Sequence, residues 1–297
     1  MDIQTTGLTR RFGRITALHS VDLAVPGGMY GLLGANGAGK TTLMRILAGV
    51  LPPSGGQVRV GGHDLTTGAG RLAVQRRLGY LPQDLGLYPD LSPREFLDYV
   101  GLFKGLDDTG ARRRQVDELL ELVALTEVAG RRMKGFSGGM RRRVGIAQAL
   151  LGDPALIVVD EPTAGLDPEE RVRFRTLLSG LAGHRTVLLS THIVEDVAQT
   201  CQQAAVMAGG RVVYTGLVTD LVRVGEGATW EVVAGVGAPP PAGVVVSAVS
   251  RSDGTHYRVV SPTPPTPDAL PAAPSLEDGY VALMQRAAAQ PAPTVGG

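Results

Sequence analysis

Four glycines and a lysine crowd the stretch GLLGANGAGKTTLMRIL, residues 31–47, which then turns abruptly into an apolar helix former. Gly34, Gly39, Lys40 and Thr41 fit the pattern G-x-x-x-x-G-K-[ST], set between a strand-like MYGLLG and a helix-like TTLMRILAG. A polyphosphate needs backbone N–H donors converging at a helix N-terminus, where the dipole also favours negative charge; side chains larger than hydrogen would obstruct that approach. Lys40 would supply a compact, mobile cation for the outer phosphates, and the Thr41 hydroxyl could hold magnesium. A glycine-rich turn with an incidental lysine is the plain alternative, so the loop needs a second half of the site.

ALIVVDEP supplies one. An apolar strand there delivers Asp160 and Glu161 to the carboxyl edge of a sheet, where α/β proteins bind ligands. Asp160 would reach magnesium directly or through water, and Glu161 is placed to act as general base on an attacking water. A third stretch, FSGGMRRRVGIAQALL, sets Ser137, Gly138 and Gly139 at the start of a helix and so forms a second anion-binding N-terminus. One γ-phosphate does not need two such cradles from positions so distant along one chain.

The elements that position these residues form a three-layer α/β pattern from Met1 to about Gly216, with short apolar runs alternating with helical spacing. ALIVV (155–159) and TVLLS (186–190) are apolar on both faces and read as buried parallel strands. Val116, Leu119, Leu120 and Val123 repeat at i, i+3, i+4, i+7, which predicts a helix within a mostly helical insert at about 84–152. After Gly216 the texture changes. GVGAPPPAG reads as a linker, GVVVSAVSRSDGTHYRVVS as a hairpin, SPTPPTPDALPAAPS as a proline-rich segment, and residues 275–289 as a terminal helix. Trp230 and His256 in this region read as packing and surface positions rather than a site.

Composition narrows the classes further. At 297 residues and 43% apolar content the chain can bury a core of one large domain or two, and a net charge of +1 gives no global basic field for nucleic acid. The single cysteine, Cys201, excludes an internal disulfide framework. No run reaches the roughly 18 apolar residues of a membrane span, and the first residues do not open like a signal peptide, so a soluble chain is expected.

Taken together and in this order and spacing, these motifs resemble the ATP-binding cassette (ABC) family over residues 2–216. The likeness extends to Gln83 in GYLPQD, Asp167 in AGLDP and His192 in STHIVED. It implies a P-loop NTPase sandwich with a parallel-sheet core, an N-terminal antiparallel β part and a helical insert, followed at 217–297 by a small C-terminal accessory α+β domain. The resemblance also implies roles. Gly34, Asn36, Gly37, Ala38, Gly39, Lys40, Thr41 and Thr42 would cradle ATP, and Phe12 would stack on adenine. Thr41, Gln83 and Asp160 would meet Mg2+. Glu161, His192 and Gln83 would act at the γ-phosphate. Ser137, Gly138, Gly139, Met140 and Asp167 would face the ATP held by a second cassette, in a head-to-tail homodimer.

Two positions depart from the family pattern: Ala35 stands where proline is usual, and Met140 replaces the commoner glutamine. SGGMRRR and SLEDGYVALM look like drug or lipid exporter cassettes that pair with a separate integral membrane permease. Such a chain would sit in the cytoplasm against the inner face of the cell membrane. Its permease contact is expected around Gln83 and residues 84–100. A soluble ABC-type ATPase acting on nucleic acid or ribosomes is the alternative. The C-terminal region is expected to assist pairing or docking and to add nothing to the chemistry.

Overall fold

A computed structural model describes residues 1–181, 185–235 and 237–289. By internal contacts the chain divides into two compact units: Met1–His192 with Ala205–Val212, and Ile193–Ala204 with the residues from Val213 onward.

In the first unit the strands β1 (Ile3–Phe12) and β2 (Ile15–Val25) form a hairpin, followed by β3 (Met29–Leu33) and helix α1 (Lys40–Leu47). Next come β4 (Gly55–Val60), β5 (His63–Asp64), α2 (Gly68–Gln75) and β6 (Leu78–Leu81). The helical insert holds α3 (Pro93–Phe103), α4 (Thr109–Leu122) and α5 (Gly138–Leu150). It leads to β7 (Leu156–Asp160), α6 (Pro168–Leu181) and β8 (Thr186–Thr191). Then follow α7 (Val194–Thr200), which belongs to the second unit, β9 (Gln203–Ala208), which enters the first unit at Ala205, and β10 (Arg211–Leu217), which leaves it after Val212.

Two sheets result. An antiparallel sheet runs β2-β1-β4-β5, and a six-stranded sheet runs β10-β9-β3-β8-β7-β6, in which β3/β8, β8/β7 and β7/β6 pair in parallel. All residues of β7 and β8 are buried, as their two-sided apolar pattern requires. The buried stripe of α1, Leu43, Met44, Ile46 and Leu47, joins both sheets in one core: Ile3, Leu23 and Val58 come from the antiparallel sheet, and Leu32, Val158 and Leu188 from the parallel one. The phosphate-loop helix is therefore fixed by packing along its whole length.

In the insert, Ser92 and Glu95 form a capping box with Pro93 in the first turn, which sets the start of α3 sharply. The expected i, i+3, i+4 stripe of α4 is realised: Val116, Leu119 and Leu120 are buried, and Val123 caps the helix. The Lys104 ammonium, at the end of α3, donates to Leu151 O at 2.9 Å and Leu78 O at 3.1 Å, and burial lowers its pKa to about 8.

That shift predicts a measurable pH dependence. The unfolded chain keeps this proton up to the ordinary lysine value of about 10.5, whereas the folded chain releases it near 8. Between those values the unfolded state binds more protons, so this group's cost to stability, fully present below pH 8, is relieved as pH rises. Relative to Lys104→Met, the wild-type chain should gain about 2 kcal/mol between pH 7.5 and 9.5 in urea melts. Parallel pH profiles for the two proteins would contradict the burial.

The second unit adds α8 (Val218–Arg223), β11 (Thr229–Ala234), β12 (Val244–Arg251), β13 (Gly254–Val260), β14 (Leu270–Pro271) and α9 (Leu276–Ala289). Its antiparallel sheet runs β12-β13-β11-β14. The expected hairpin is β12/β13 and the expected terminal helix is α9, whereas α8, β11 and the short β14 gave no clear signal in the sequence. Arg258 on β13 grips the fully buried Asp278 of α9 through Nε and Nη2 at 2.7–3.0 Å, and Ser275 donates to the same carboxylate. Trp230 Nε1 donates to Ser261 O at 3.0 Å, and His256 lies 3.0 Å from Asp253. Both are accounted for by local structure.

Candidate functional site

Strand register gathers the chemistry at one edge. Leu33 pairs with Thr191, Asp160 with Ser190, and Leu81 with Val159, so β3, β8, β7 and β6 end at the same level. The residues just beyond those ends are Gly34, His192, Glu161 and Gln83. Parallel pairing thus brings together groups spread over about half the chain, as expected at the carboxyl ends of an α/β sheet.

A cleft of about 340 Å³ opens there, lined by Ala17, Asn36, Gly37, Gly39, Lys40, Thr41, Thr42, Gln83 and Glu161. Ala17 comes from the β1/β2 hairpin and was not singled out by the sequence. Phe12 ends β1 on the same hairpin, half exposed, with the Arg10 guanidinium 4.5 Å from its ring centroid. It is therefore not a core phenylalanine. An apolar groove of about 410 Å³, bordered by Ile146, Leu166 and Phe174, is also lined by Gly139 and Arg142.

The glycines have a reason that sequence did not reveal. A Cβ at Gly34 would lie 2.6 Å from Met207 O, and one at Gly39 would lie 2.8 Å from Ala17 O. Their hydrogens are required by neighbouring backbone of the fold itself, in addition to any ligand. Gly37 and Gly39 also hold φ of 81° and 99°, which only glycine adopts readily. The first N–H groups of an α-helix have no intrahelical partner, and the residues that open α1, Lys40, Thr41 and Thr42, line the cleft.

Lys40 is almost fully buried. Its Nζ donates to Gly34 O at 2.6 Å and Ala35 O at 3.2 Å and lies 3.1 Å from Glu161 Oε1. The other Glu161 oxygen lies 2.6 Å from His192 Nδ1. Glu161 also sits at φ +49°, a left-handed backbone conformation that costs a non-glycine residue on the order of 1–3 kcal/mol and persists only where surroundings enforce it. Its N–H donates to Ser190 O at 2.9 Å, and Arg142 Nη2 donates to its carbonyl.

Asp160 is wholly buried, and neither carboxylate oxygen has a hydrogen-bond partner among the described residues. Burial pushes its carboxyl above the usual range. The nearby Thr41 and Ser190 hydroxyls oppose this without closing a well-formed hydrogen bond, while the neighbouring Glu161 adds to it and Lys40 pulls it down. A buried carboxylate left without donors, beside a threonine hydroxyl, is the hard-oxygen environment that suits Mg2+. The residues present therefore fit that ion.

The remaining candidates lie elsewhere. Ser137 caps α5, its hydroxyl accepting from Met140 N at 3.2 Å, with Gly138 exposed and Gly139 against the Glu170 side chain. Asp167 is exposed and caps α6, accepting from Glu170 N at 2.9 Å. Neither group lines the Lys40 cleft. The residue the sequence reading missed is Arg142: the middle member of the run RRR is buried and reaches two segments of the site, Pro82–Gln83 and Glu161–Pro162.

A phosphate loop opening α1, a carboxylate pair ending β7, a strand-end glutamine and histidine, and a separate serine–glycine helix start on a helical insert define an ATP-binding cassette. The chain belongs to the ABC transporter ATP-binding proteins, a class of ATPase. An ABC transporter family model matches residues 18–164. The daunorubicin resistance ATP-binding protein DrrA3 of Streptomyces coeruleorubidus is 40% identical over 223 residues, 74% of this chain and 69% of that protein. The uncharacterized ABC transporter ATP-binding protein YxlF of Bacillus subtilis is 39% identical over 191 residues, 64% of this chain and 62% of that protein. The chain thus spans about two thirds of the length of these relatives. Among solved structures, the ATP-binding cassette MJ0796, dimeric in a post-hydrolysis state with ADP and Pi, matches with a TM-score of 0.67 at 25% identity, covering 72% of this chain and 98% of that one.

Proposed function

We propose that this chain hydrolyses ATP to drive an exporter whose membrane-spanning permease is a separate chain. The observation that carries the proposal is Glu161, held between Lys40 and His192 at the floor of the phosphate-loop cleft. Without nucleotide, Lys40 is satisfied by its own loop and by Glu161. Arriving phosphates offer it stronger, charge-assisted partners, and its departure frees one Glu161 oxygen to accept a proton from the attacking water. His192 then bridges Glu161 and the γ-phosphate, and Gln83 orients the water from the cleft rim. Thr41 and Asp160, with Gln83, would hold Mg2+, which when bound neutralises charge developing on the phosphates. The Phe12 face opposite Arg10 offers a stacking surface for adenine.

Ser137, Gly138, Gly139, Met140 and Asp167 lie outside their own cleft, which supports their action on the nucleotide of a second copy. ATP would then join two cassettes, and hydrolysis would release them. The export direction is supported by the name of the relative DrrA3, a daunorubicin resistance protein. Among the described residues no helix is long and apolar enough to cross a membrane, and the reading accordingly assigns the membrane-spanning part to a partner chain. A ridge beside Gln83 suits that contact: Tyr88 and Tyr99 meet edge-on at 6.0 Å, Tyr99 and Phe103 at 4.9 Å, and the Phe103 ring is 75% exposed. These features support a position at the inner face of the cell membrane.

Co-purification from detergent extracts of the native cell tests the reading. A polytopic membrane protein should accompany the wild-type chain and be lost with Phe103→Asp, while ATP hydrolysis by the isolated variant persists. Recovery of ribosomes or nucleic acid in its place would favour the alternative.

A further inference from the structure

Arg142, on the second turn of α5, is buried and has no carboxylate partner within salt-bridge distance among the described residues. Its guanidinium spends its donors on main-chain carbonyls: Nε on Pro162 O at 2.7 Å, Nη1 on Gln83 O at 2.9 Å with Pro82 O further off at 3.5 Å, and Nη2 on Glu161 O. Burial lowers its pKa, opposed by the negative fields of Asp160, Glu161 and Asp84. Its neighbours differ: Arg141 is exposed, and Arg143 pairs with Glu170 at 3.4 Å.

A buried guanidinium is costly to desolvate, and the fork is the one side chain that can donate in several fixed directions at once. Here it clamps the continuations of the paired strands β6 and β7 beyond their last pair, Leu81 with Val159. One is the turn after β6, which carries Gln83. The other is the left-handed turn after β7, where Glu161 sits at φ +49°. The carbonyls on both sides of the Glu161–Pro162 peptide bond are held from α5, and Ser190 O holds the Glu161 N–H from the opposite side.

We propose that Arg142 is a positioning residue that fixes the Glu161 backbone, and with it the base carboxylate, to the Gln83 turn and to the helix whose start carries Ser137–Gly139. A displacement of the Gln83 turn or of α5 is then transmitted to the general base through one side chain. The proposal rests on the ATPase reading for its catalytic consequence but not for the linkage itself.

Two measurements on the full chain test it. In Arg142→Gln, kcat for ATP should fall about 10- to 100-fold, with KM and equilibrium ATP affinity within about threefold, because the phosphate loop is untouched. Arg142→Lys should recover part of the loss, since an ammonium can reach one or two carbonyls but not three. In a Glu161→Gln background, Arg142→Gln should add nothing further to slow single-turnover hydrolysis, as expected if it acts through that residue.

Hydrogen exchange without nucleotide reads the linkage directly: amides at 83–84 and 161–163 should lose protection together in Arg142→Gln while those of β7 and β8 keep theirs. Unchanged exchange at either segment overturns the proposal whether or not the chain hydrolyses ATP, and so does a fully additive loss in the Glu161→Gln background. A wild-type chain that fails to hydrolyse ATP, with the two segments still loosening together in the variant, would sink the ATPase reading and leave the linkage standing.

Discussion

Replacing Glu161 by glutamine is expected to cut steady-state ATP turnover by about 10²- to 10⁴-fold while nucleotide binding survives. The amide keeps nearly the shape of the carboxylate but cannot take a proton from water. It also releases Lys40 from the 3.1 Å ion pair that holds it against the cleft floor. ATP therefore no longer competes with Glu161 for that ammonium, and affinity should stay level or rise. The backbone at φ +49° is retained, since its anchors are the Glu161 N–H and the carbonyls held by Arg142, none of which involve the side chain. Turnover within a few-fold of wild type in the purified variant would remove Glu161 from the role of base.

Lys40→Arg should fail at an earlier step, binding, although arginine is the chain's usual base and lysine occurs only at positions 40, 104 and 134. Lys40 Nζ fits between Gly34 O, Ala35 O and Glu161 Oε1 within a nearly closed pocket. A planar guanidinium is wider than that space, and its fixed fork cannot turn from the loop carbonyls toward an incoming phosphate as an ammonium can. Loss of one charge-assisted contact is worth about 2–3 kcal/mol, so ATP affinity should drop about 30- to 150-fold, read by equilibrium titration beside a melting curve that confirms folding. Wild-type affinity in the arginine variant would contradict the packing around Nζ.

Much of this site was legible in the order of residues because its parts are local. A glycine-rich turn followed by Lys40, Thr41 and an apolar helix is a contiguous unit, and so is an apolar strand ending in Asp160 and Glu161. Each can be read because backbone conformation and periodicity are set by near neighbours. The Ser137 turn, the β12/β13 hairpin and the terminal helix were legible for the same reason. The resemblance to the ABC family then joined these units and supplied Gln83, His192, Asp167 and Phe12.

What the sequence could not state is which distant groups meet. That Gly34 must lack a side chain because Met207 O lies behind it depends on a contact across well over a hundred residues, and that Ala17 closes the cleft depends on where the hairpin of the antiparallel sheet is packed. That the middle arginine of RRR turns inward while its neighbours face solvent or Glu170 depends on where the Gln83 and Glu161 turns happen to leave carbonyls unpaired. Local pattern fixes the character of each segment. Packing alone decides which donor meets which acceptor, because a buried polar group must find its partner in three dimensions, wherever the chain brings one within about 3 Å.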